Sequence, residues 1–472
     1  MKRLLSILVV SAVCAAGGSA QQAVRTAPGQ GPVVVITGGT VITMDRTRRV
    51  IENGAIAIQG DHIAAVERAD VIAKLYPSAE VIDATGHVIM PGLINTHGHA
   101  PMVLYRGLAD DLALMDWLQQ YIFPAEAKTV SPEFVRVGTR LAALEMIESG
   151  TTTYADMYYF EEEIAAATKA AGLRAVLGQT IIQFPVADAK TWQAGLARAE
   201  VFVSQWRSDP LITPAYAPHA MYTLDETALR AIRASATKTG AFTLIHLSET
   251  RVENEDSKKN HGATPTAYLE RLGFWAPRTL AAHGVWLDDA DLAILAKRGV
   301  GLSHNPESNM KLASGAAPVT KWLAAGVDSG VGTDGAASNN NLDMFEAMRL
   351  ASFLQKHSTG DPRALPARTA LEMATIGGAH ALGLDPRIGS LEPGKLADVI
   401  VVDMSRAHQT PVYDPISHLV YATRGDDVRD VFVHGRALMR DRQVRTLDRV
   451  AVLRDARAMQ QKVRAAVAQA PK

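Results

Sequence analysis

The feature that most limits the fold of this chain is a series of eight short apolar or β-branched runs, separated by stretches with helical amphipathic periodicity. The runs cover residues 88–95, 151–156, 174–180, 211–217, 242–246, 279–283, 300–304 and 327–333. The first intervening helix has clear ends, because Ser131 suits the N-cap, Pro132 the first helical position, and Gly150 follows the last apolar residue. Eight strands that alternate with helices predict an α/β fold, a (β/α)8 TIM-like barrel.

The segments on either side of the predicted barrel, which covers residues 91–388, have a different pattern. Residues 33–90 and 389–440 contain short strand-like runs, broken in the first segment by turn pairs such as Gly38-Gly39 and Asn53-Gly54. We expect these segments to join in one small β-sandwich module, built from the N-terminal and C-terminal parts of the chain around the barrel. Residues 450–468 have a helical pattern and predict a C-terminal helix.

Residues 1–20 have the pattern of a secretory signal peptide. Lys2 and Arg3 precede an apolar run, and Gly18-Ser19-Ala20 supplies the small residues of a cleavage site. No later stretch reaches the roughly 18 consecutive apolar residues that a membrane helix needs. We therefore expect an exported protein, periplasmic or secreted, with no membrane segment after signal cleavage.

Charge and cysteine content narrow the classes of partner. The chain has 48 Lys+Arg against 49 Asp+Glu, a formal net charge of -1, and no basic run, which argues against nucleic-acid binding. Its one cysteine, Cys14, lies in the predicted signal peptide, so the mature chain cannot form a disulfide. A metal ion would therefore be held by histidine and carboxylate ligands.

Polar side chains follow most of the apolar runs at the point where each strand should end. They are His97 and His99 after the first run, His219 after the fourth, His246 and Glu249 after the fifth, His283 after the sixth, His304 after the seventh and Asp334 after the eighth. The carboxyl ends of all barrel strands meet at one face, so these side chains should converge. His97 and His99 would point to one side of an extended segment, and His246 and Asp334 complete four ligands for one divalent metal ion, leaving a position for water.

Some of these residues have a simpler interpretation. A single strand-end histidine such as His304 is more often a buried structural side chain or part of a pocket wall than a metal ligand. His219 fits a pocket wall and a substrate contact about equally. Residues 115–118 (MDWL) fit a pocket lid or packing, and residues 332–335 lack the spacing of a phosphate-binding loop.

Five motifs together resemble the amidohydrolase superfamily. They are residues 91–99 (PGLINTHGH), 246–250 (HLSET), 303–309 (SHNPESN), 332–340 (GTDGAASNN) and 392–398 (EPGKLAD). Within the superfamily they are similar to the aminohydrolases that act on 5'-methylthioadenosine and S-adenosylhomocysteine. The resemblance extends over nearly the whole mature chain.

The resemblance implies a role for each matching residue. His97, His99, His246 and Asp334 match the ligands of a mononuclear site, usually occupied by zinc and sometimes by iron. The fourth run ends in residues 212–219 (ITPAYAPH), without the lysine that bridges two metals in binuclear relatives, so one ion is expected. Glu249 matches a proton shuttle, and His283 and Asp334 match groups that deprotonate the attacking water.

Two further matches concern the substrate. Glu126 matches a carboxylate that binds the ribose hydroxyls, and His219 matches a substrate-contacting histidine; without the resemblance, Glu126 is equally well explained as a solvated carboxylate at a helix start. Gln179 stands where relatives that bind S-adenosylhomocysteine carry an arginine for its carboxylate. Glutamine offers hydrogen bonds but no charge, so we expect uncharged 5'-substituted adenosines, or adenosine itself, to be better substrates.

The predicted activity is thus metal-dependent hydrolytic deamination of an adenosine-type nucleoside to the inosine analogue and ammonia. Two alternatives stay open: an aminohydrolase or chlorohydrolase of another heterocycle, such as a guanine-type base, a pterin or a triazine, and a non-catalytic exported nucleoside-binding protein. The resemblance also allows a homo-oligomer, since dimers and tetramers are common among the relatives.

Overall fold

The computed structural model describes residues 32–468, so the predicted signal peptide lies outside the described residues. The N-terminal part of the described chain forms five strands of a β-module. They are β1 (Val33–Ile42), β2 (Val50–Gln59), β3 (His62–Arg68), β4 (Glu80–Asp83) and β5 (His87–Pro91).

Eight parallel strands then form the barrel. They are β6 (Leu93–Asn95), β7 (Thr151–Tyr158), β8 (Arg174–Ile181), β9 (Ile212–Pro218), β10 (Phe242–Leu247), β11 (Thr279–His283), β12 (Val300–His304) and β13 (Ser329–Val331). Each strand pairs with its neighbours in chain order. The Thr96 N–H donates to the Val331 carbonyl at 3.0 Å, which brings the last strand against the end of the first. The predicted (β/α)8 barrel is confirmed.

The remaining strands return to the β-module. They are β14 (Val399–Asp403), β15 (Val428–Val433), β16 (Arg436–Arg440) and β17 (Gln443–Val444). Strand β14 pairs antiparallel with β5, which joins the two ends of the chain in a single nine-stranded sheet. The sequence predicted a β-sandwich module assembled from both ends of the chain. The structure confirms the assembly from both ends, with all nine strands hydrogen-bonded in one sheet.

Helices fill the connections between the strands. They are α1 (Ala69–Leu75), α2 (Leu114–Asp116), α3 (Phe123–Thr129), α4 (Pro132–Glu148), α5 (Glu161–Ala171), α6 (Trp192–Trp206), α7 (Glu226–Thr239), α8 (Arg251–His261), α9 (Pro265–Arg271), α10 (Asp289–Arg298), α11 (Pro306–Lys311), α12 (Val319–Ala324), α13 (Met344–Thr359), α14 (Ala367–Met373), α15 (Ile376–Ala381), α16 (Pro415–Tyr421) and α17 (Arg449–Ala468). The Ser131 side chain accepts the Phe134 N–H at 3.2 Å, as expected of an N-cap. Between residues 32 and 468, no helix has the length and apolar character needed to cross a membrane.

The first predicted run, residues 88–95, divides between the two sheets. Its first part lies in β5 of the module and its last part in β6 of the barrel, with Gly92 between them. A Cβ atom at Gly92 would lie 2.1 Å from the Thr152 side chain, so only glycine allows this close approach. The hydrophobic pattern continued across the boundary because both strands are buried.

A buried ion pair connects the barrel to the β-module. The Arg174 guanidinium donates from Nε to Asp398 Oδ2 at 2.8 Å and from Nη2 to Oδ1 at 3.1 Å. The side chains are 2% and 3% exposed. Asp398 Oδ1 also accepts the His434 N–H at 2.8 Å. The pair therefore holds three segments of the chain together.

Replacing Asp398 with asparagine is expected to lower the free energy of unfolding by about 3–5 kcal/mol, because the change leaves the Arg174 charge buried without its counter-charge. Urea unfolding of the variant and the wild type measures this difference. The matched control is Asp361→Asn, which breaks the exposed pair with Arg363 and should leave the unfolding free energy unchanged. Equal effects of the two substitutions would contradict the prediction.

Candidate active site

The ends of the first and eighth barrel strands are joined by side-chain and backbone hydrogen bonds. Asn95 Oδ1 accepts the Thr333 N–H at 3.0 Å, and Asn95 Nδ2 donates to Thr333 Oγ1 at 2.7 Å. The Asp334 N–H then donates to the His97 carbonyl at 2.9 Å. These bonds place the segment that carries His97 and His99 directly beside Asp334.

Four predicted metal ligands converge at this point. Asp334 Oδ1 lies 3.4 Å from His97 Nε2 and 3.3 Å from His99 Nε2. His99 Nε2 in turn lies 3.4 Å from His246 Nε2. Residues from the first, fifth and eighth strand ends therefore meet as the sequence predicted.

The hydrogen bonds of the outer ring nitrogens favour metal binding. His99 Nδ1 lies 2.6 Å from the Met157 carbonyl, and His246 Nδ1 lies 2.7 Å from the His219 carbonyl. A carbonyl can only accept, so each Nδ1 carries the proton and each Nε2 presents a lone pair to the centre. With both rings neutral, these lone pairs face each other, and a cation held between them would satisfy both. Buried His97 Nε2 has no hydrogen-bond partner within residues 32–468, so this donor set fits a divalent metal ion.

The electrostatics of the cluster also suit a cation. Burial lowers the pKa of His97 to about 4, and burial together with the neighbouring histidines lowers the pKa of His246 well below its usual value. Burial acts against ionisation of Asp334, but the adjacent His97 and His99 rings hold its pKa well below the ordinary range. At His99, burial alone would lower the pKa, but Asp334 raises it to about 9. The ring is therefore protonated at neutral pH, and a metal ion must displace a proton from it.

The two predicted proton-transfer residues lie next to the cluster. Glu249 is 4% exposed, and its Oε2 lies 3.7 Å from His283 Nε2. His283 Nε2 lies 4.0 Å from Asp334 Oδ2. Burial raises the pKa of Glu249, which favours the protonated acid. The arrangement places an acid and a base around one position beside the ligands.

The ring of His283 is oriented by a residue to which the sequence assigned no role. His283 Nδ1 lies 2.9 Å from Asn309 Oδ1, which can accept its proton. This leaves Nε2 facing Glu249 and Asp334. The sequence signal was present, since Asn309 belongs to the 303–309 motif, but nothing in the sequence showed which side chain it contacts.

A cavity opens above the strand ends. Apolar and aromatic side chains form much of its wall, including Leu114, Trp117, Leu118, Ile122, Phe123 and Leu312. His219, Glu126, Glu249, His283 and Asp334 also line it. Among the described residues that line it, none is lysine or arginine. The site is thus a largely apolar pocket with a few polar groups.

Glu126 and His219 lie in the wall of this cavity. The Tyr158 hydroxyl donates to Glu126 Oε1 at 2.6 Å, and burial raises the pKa of Glu126 to about 7. Burial lowers the pKa of His219 to about 3, so its imidazole is neutral at physiological pH. Glu126 is buried on α3 and is not the solvated helix-start carboxylate that the sequence also allowed. Nothing in the sequence indicated a role for Tyr158.

Two other residues named from the sequence are not brought into the cavity. Gln179 is fully buried, and its amide donates to Asp188 Oδ2 at 2.8 Å and to the Thr180 carbonyl at 3.1 Å. It does not line the cavity. His304 is also buried, does not line the cavity and packs edge-on against Trp322, with ring centroids 6.0 Å apart.

Comparisons with known proteins agree with this geometry. The family model described as "Amidohydrolase family" matches residues 88–438. The chain is 49% identical to the 5-methylthioadenosine/S-adenosylhomocysteine deaminase of Syntrophobacter fumaroxidans, covering 88% of this chain and 94% of that protein. It is 46% identical to the 5'-deoxyadenosine deaminase of Methanosarcina acetivorans, covering 90% and 96%. A solved adenosine deaminase from Xanthomonas campestris with bound zinc is 40% identical, with a TM-score of 0.90, covering 93% and 100%.

Proposed function

Because the chain belongs to the amidohydrolase family, we propose that it catalyses the metal-dependent hydrolytic deamination of an adenosine-type nucleoside to the inosine analogue and ammonia. The protein is then a hydrolase that acts on the C–N bond of a cyclic amidine. The observation that carries the proposal is the placement of Glu249 and His283 beside the four-ligand cluster, at the base of an apolar cavity.

Four side chains would hold the metal ion: His97, His99, His246 and Asp334. A divalent ion at this position supplies Lewis acidity, which lowers the pKa of a water molecule from 15.7 to about 7. Nitrogen and carboxylate ligands suit zinc, and the solved relative from Xanthomonas campestris contains zinc. Iron is the alternative ion that the sequence resemblance allows.

The chain's own residues move the protons. Attack of water on C6 of the purine increases the electron density at N1, and the protonated Glu249 carboxyl donates a proton to that nitrogen. Asp334 and His283 accept the proton of the attacking water. Glu249, now ionised, takes up the hydroxyl proton at C6 and passes it to the departing amine, so that ammonia leaves as a neutral molecule and N1 keeps its proton. The proton held by Asp334 and His283 then restores the Glu249 acid.

The composition of the cavity wall supports uncharged substrates. S-adenosylhomocysteine carries a carboxylate and an ammonium group on its 5'-substituent, and no arginine or lysine among the lining residues can pair with that carboxylate. Burying an unpaired charge is costly, whereas an alkylthio group suits apolar side chains. We therefore propose 5'-methylthioadenosine, adenosine or another uncharged 5'-substituted adenosine as the substrate.

Ammonia release from 5'-methylthioadenosine, adenosine and S-adenosylhomocysteine, measured in parallel on zinc-loaded protein, tests the function. We expect kcat/KM for the uncharged nucleosides to exceed that for S-adenosylhomocysteine by about tenfold or more, since charge-assisted hydrogen bonds contribute about 1.5–3 kcal/mol. A higher value for S-adenosylhomocysteine would overturn the substrate preference. If metal-loaded protein released no ammonia from any of the three nucleosides, its substrate would be another heterocycle, or the protein would bind nucleosides without turnover.

Glu126 would receive the ribose hydroxyls. Its carboxylate lines the cavity and accepts one hydrogen bond from Tyr158, which leaves acceptor capacity for a substrate. At pH values above the pKa of about 7 that burial gives Glu126, Glu126→Gln is expected to lower kcat/KM for ribonucleosides by about 10- to 100-fold, mainly through KM, because a charge-assisted hydrogen bond is lost. The penalty should be smaller for 2',3'-dideoxyadenosine. An equal loss for both nucleosides would contradict a ribose contact.

We also propose that residues 1–20 direct export and that the enzyme acts in the periplasm or outside the cell. The proposal rests on the charged start, the apolar run and the small residues before the cleavage point. N-terminal sequencing of protein expressed from the full-length gene tests it: an intact Met1 on cytoplasmic protein would contradict it. A homo-oligomer stays a prediction, which light scattering of the purified protein would test.

A further inference from the structure

We infer that Glu253 is a positioning residue for Glu249, holding the peptide that carries the catalytic acid by accepting its backbone N–H group. The inference rests on the proposed function, because it concerns the acid of that reaction. Glu253 lies in the first turn of α8. It is one of the residues that neither the metal cluster nor the proton transfers use.

The backbone before Glu249 makes an unusual turn. Strand β10 ends at Leu247, and the next residue, Ser248, has a φ of 49°. This φ lies in the left-handed region. A residue other than glycine adopts that region at a cost in free energy, unless the surroundings stabilise it. Glu249 follows directly, so the direction of its side chain depends on this turn.

The carboxylate of Glu253 stabilises that turn with both of its oxygens. Oε1 accepts the Ser248 N–H at 3.0 Å, and Oε2 accepts the Glu249 N–H at 2.8 Å. Glu253 is 8% exposed, so water competes little for these bonds. Two consecutive N–H groups are therefore held by one side chain, which fixes the orientation of the peptide between Ser248 and Glu249.

The start of α8 holds Glu253 in place. Thr250 is the N-cap, and its Oγ1 accepts the Glu253 N–H at 3.2 Å. The sequence Thr250-Arg251-Val252-Glu253 has the spacing of a capping box, in which the glutamate would bond the N-cap's own N–H. Here the carboxylate instead reaches the two residues before the cap. The motif is thus used to link the helix to the catalytic turn.

This contact differs from an ordinary helix cap in what it should affect. A cap stabilises the helix, and its loss would lower the stability of the protein by the same amount whether residue 249 is glutamate or glutamine. A positioning residue acts only through the side chain that it places. Its removal should matter when Glu249 can donate a proton and should not matter when Glu249 cannot.

A double-mutant cycle separates the two roles. Glu253→Gln leaves a single acceptor oxygen and places an NH2 group against a backbone N–H. We expect it to lower kcat for the adenosine-type substrate by about 10- to 100-fold, with KM and metal content unchanged, because a small displacement of a catalytic group is costly. In the Glu249→Gln background, where single turnovers are followed over hours, the same substitution should lower the rate by less than about threefold.

Glu255→Gln is the matched control. It makes the same chemical change two residues further along α8, on a side chain that is 60% exposed and pairs with Arg251 at 3.6 Å. It should leave kcat unchanged in both backgrounds. If Glu253→Gln does not accumulate as folded protein, the cycle is measured with Glu253→Asp, which keeps the charge on a side chain shorter by one methylene group.

Three results would overturn the inference. The first is an unchanged kcat in Glu253→Gln, and the second is the same fold-loss in both backgrounds, which would indicate a structural role alone. The third is a wild-type enzyme that releases no ammonia from any adenosine-type substrate, which overturns the proposed function and the positioning role with it. The first two leave the proposed function intact, so the failures are distinguishable.

Discussion

Replacement of His97 by alanine is expected to lower kcat/KM for deamination by about 10,000-fold or more and to remove most of the bound metal. His97 is almost fully buried, and its Nε2 faces Asp334 and has no other partner among the described residues. A metal ion contributes several kcal/mol to charge stabilisation and also generates the nucleophile at neutral pH. Each 1.36 kcal/mol corresponds to a tenfold change in rate. When both effects are lost, the two fold-losses in rate therefore multiply.

Ammonia release and metal content, measured on the same preparation, check this prediction. His357→Ala is the matched control, since His357 is an exposed histidine on α13 and should change neither quantity. Removal of the ion from wild-type protein with a chelator should reproduce the His97→Ala loss, and readdition of single metals would identify the ion that restores the rate. A His97→Ala protein that keeps both metal and activity would show that the ligand set is wrong.

The second large effect is expected at Glu249. Glu249→Gln should lower kcat by about 100- to 10,000-fold, because glutamine fills the same space but cannot transfer a proton to N1. Metal content should stay at the wild-type level, since Glu249 is not one of the four ligands. KM should change little because the amide can still form a hydrogen bond with the substrate.

The pH dependence gives a second check on Glu249. Burial raises the pKa of this carboxyl, so the protonated acid persists to a higher pH than in an exposed glutamate. The wild-type kcat should therefore fall on the alkaline side as the acid ionises, and Glu249→Gln should lack that decline. Loss of metal from Glu249→Gln would instead indicate that the carboxylate is a ligand.

The barrel and the clustering of the proposed metal ligands could be predicted from the sequence for one physical reason. Strands buried on both faces read as continuous apolar runs, and a parallel barrel brings all strand ends to one face. His97 and Asp334 are far apart in sequence, yet their positions at the ends of the first and eighth runs were enough to place them together. The same reasoning could not divide residues 88–95 at Gly92, because both strands there are buried.

The substrate-facing and positioning contacts depended on tertiary structure. Gln179 occupies the strand position expected of a substrate contact, but its amide turns to Asp188 on a following loop. Tyr158 reaches Glu126 from another segment. Each of these contacts joins segments that are separate in the sequence and are brought together by packing. No periodicity in the sequence predicts such a contact.

By itself, the sequence determined the barrel, the β-module and the strand-end positions of the proposed metal-binding and proton-transfer residues, because hydrophobic periodicity and strand-end positions are properties of the chain. Only the tertiary structure decided which side chains line the cavity and which hold others in place. Glu253 illustrates the difference. Its spacing from Thr250 predicts a helix cap, whereas the turn at Ser248 places the Glu249 backbone nitrogen 2.8 Å from the Glu253 carboxylate. Such contacts depend on the direction of side chains in a packed interior, which local sequence does not determine.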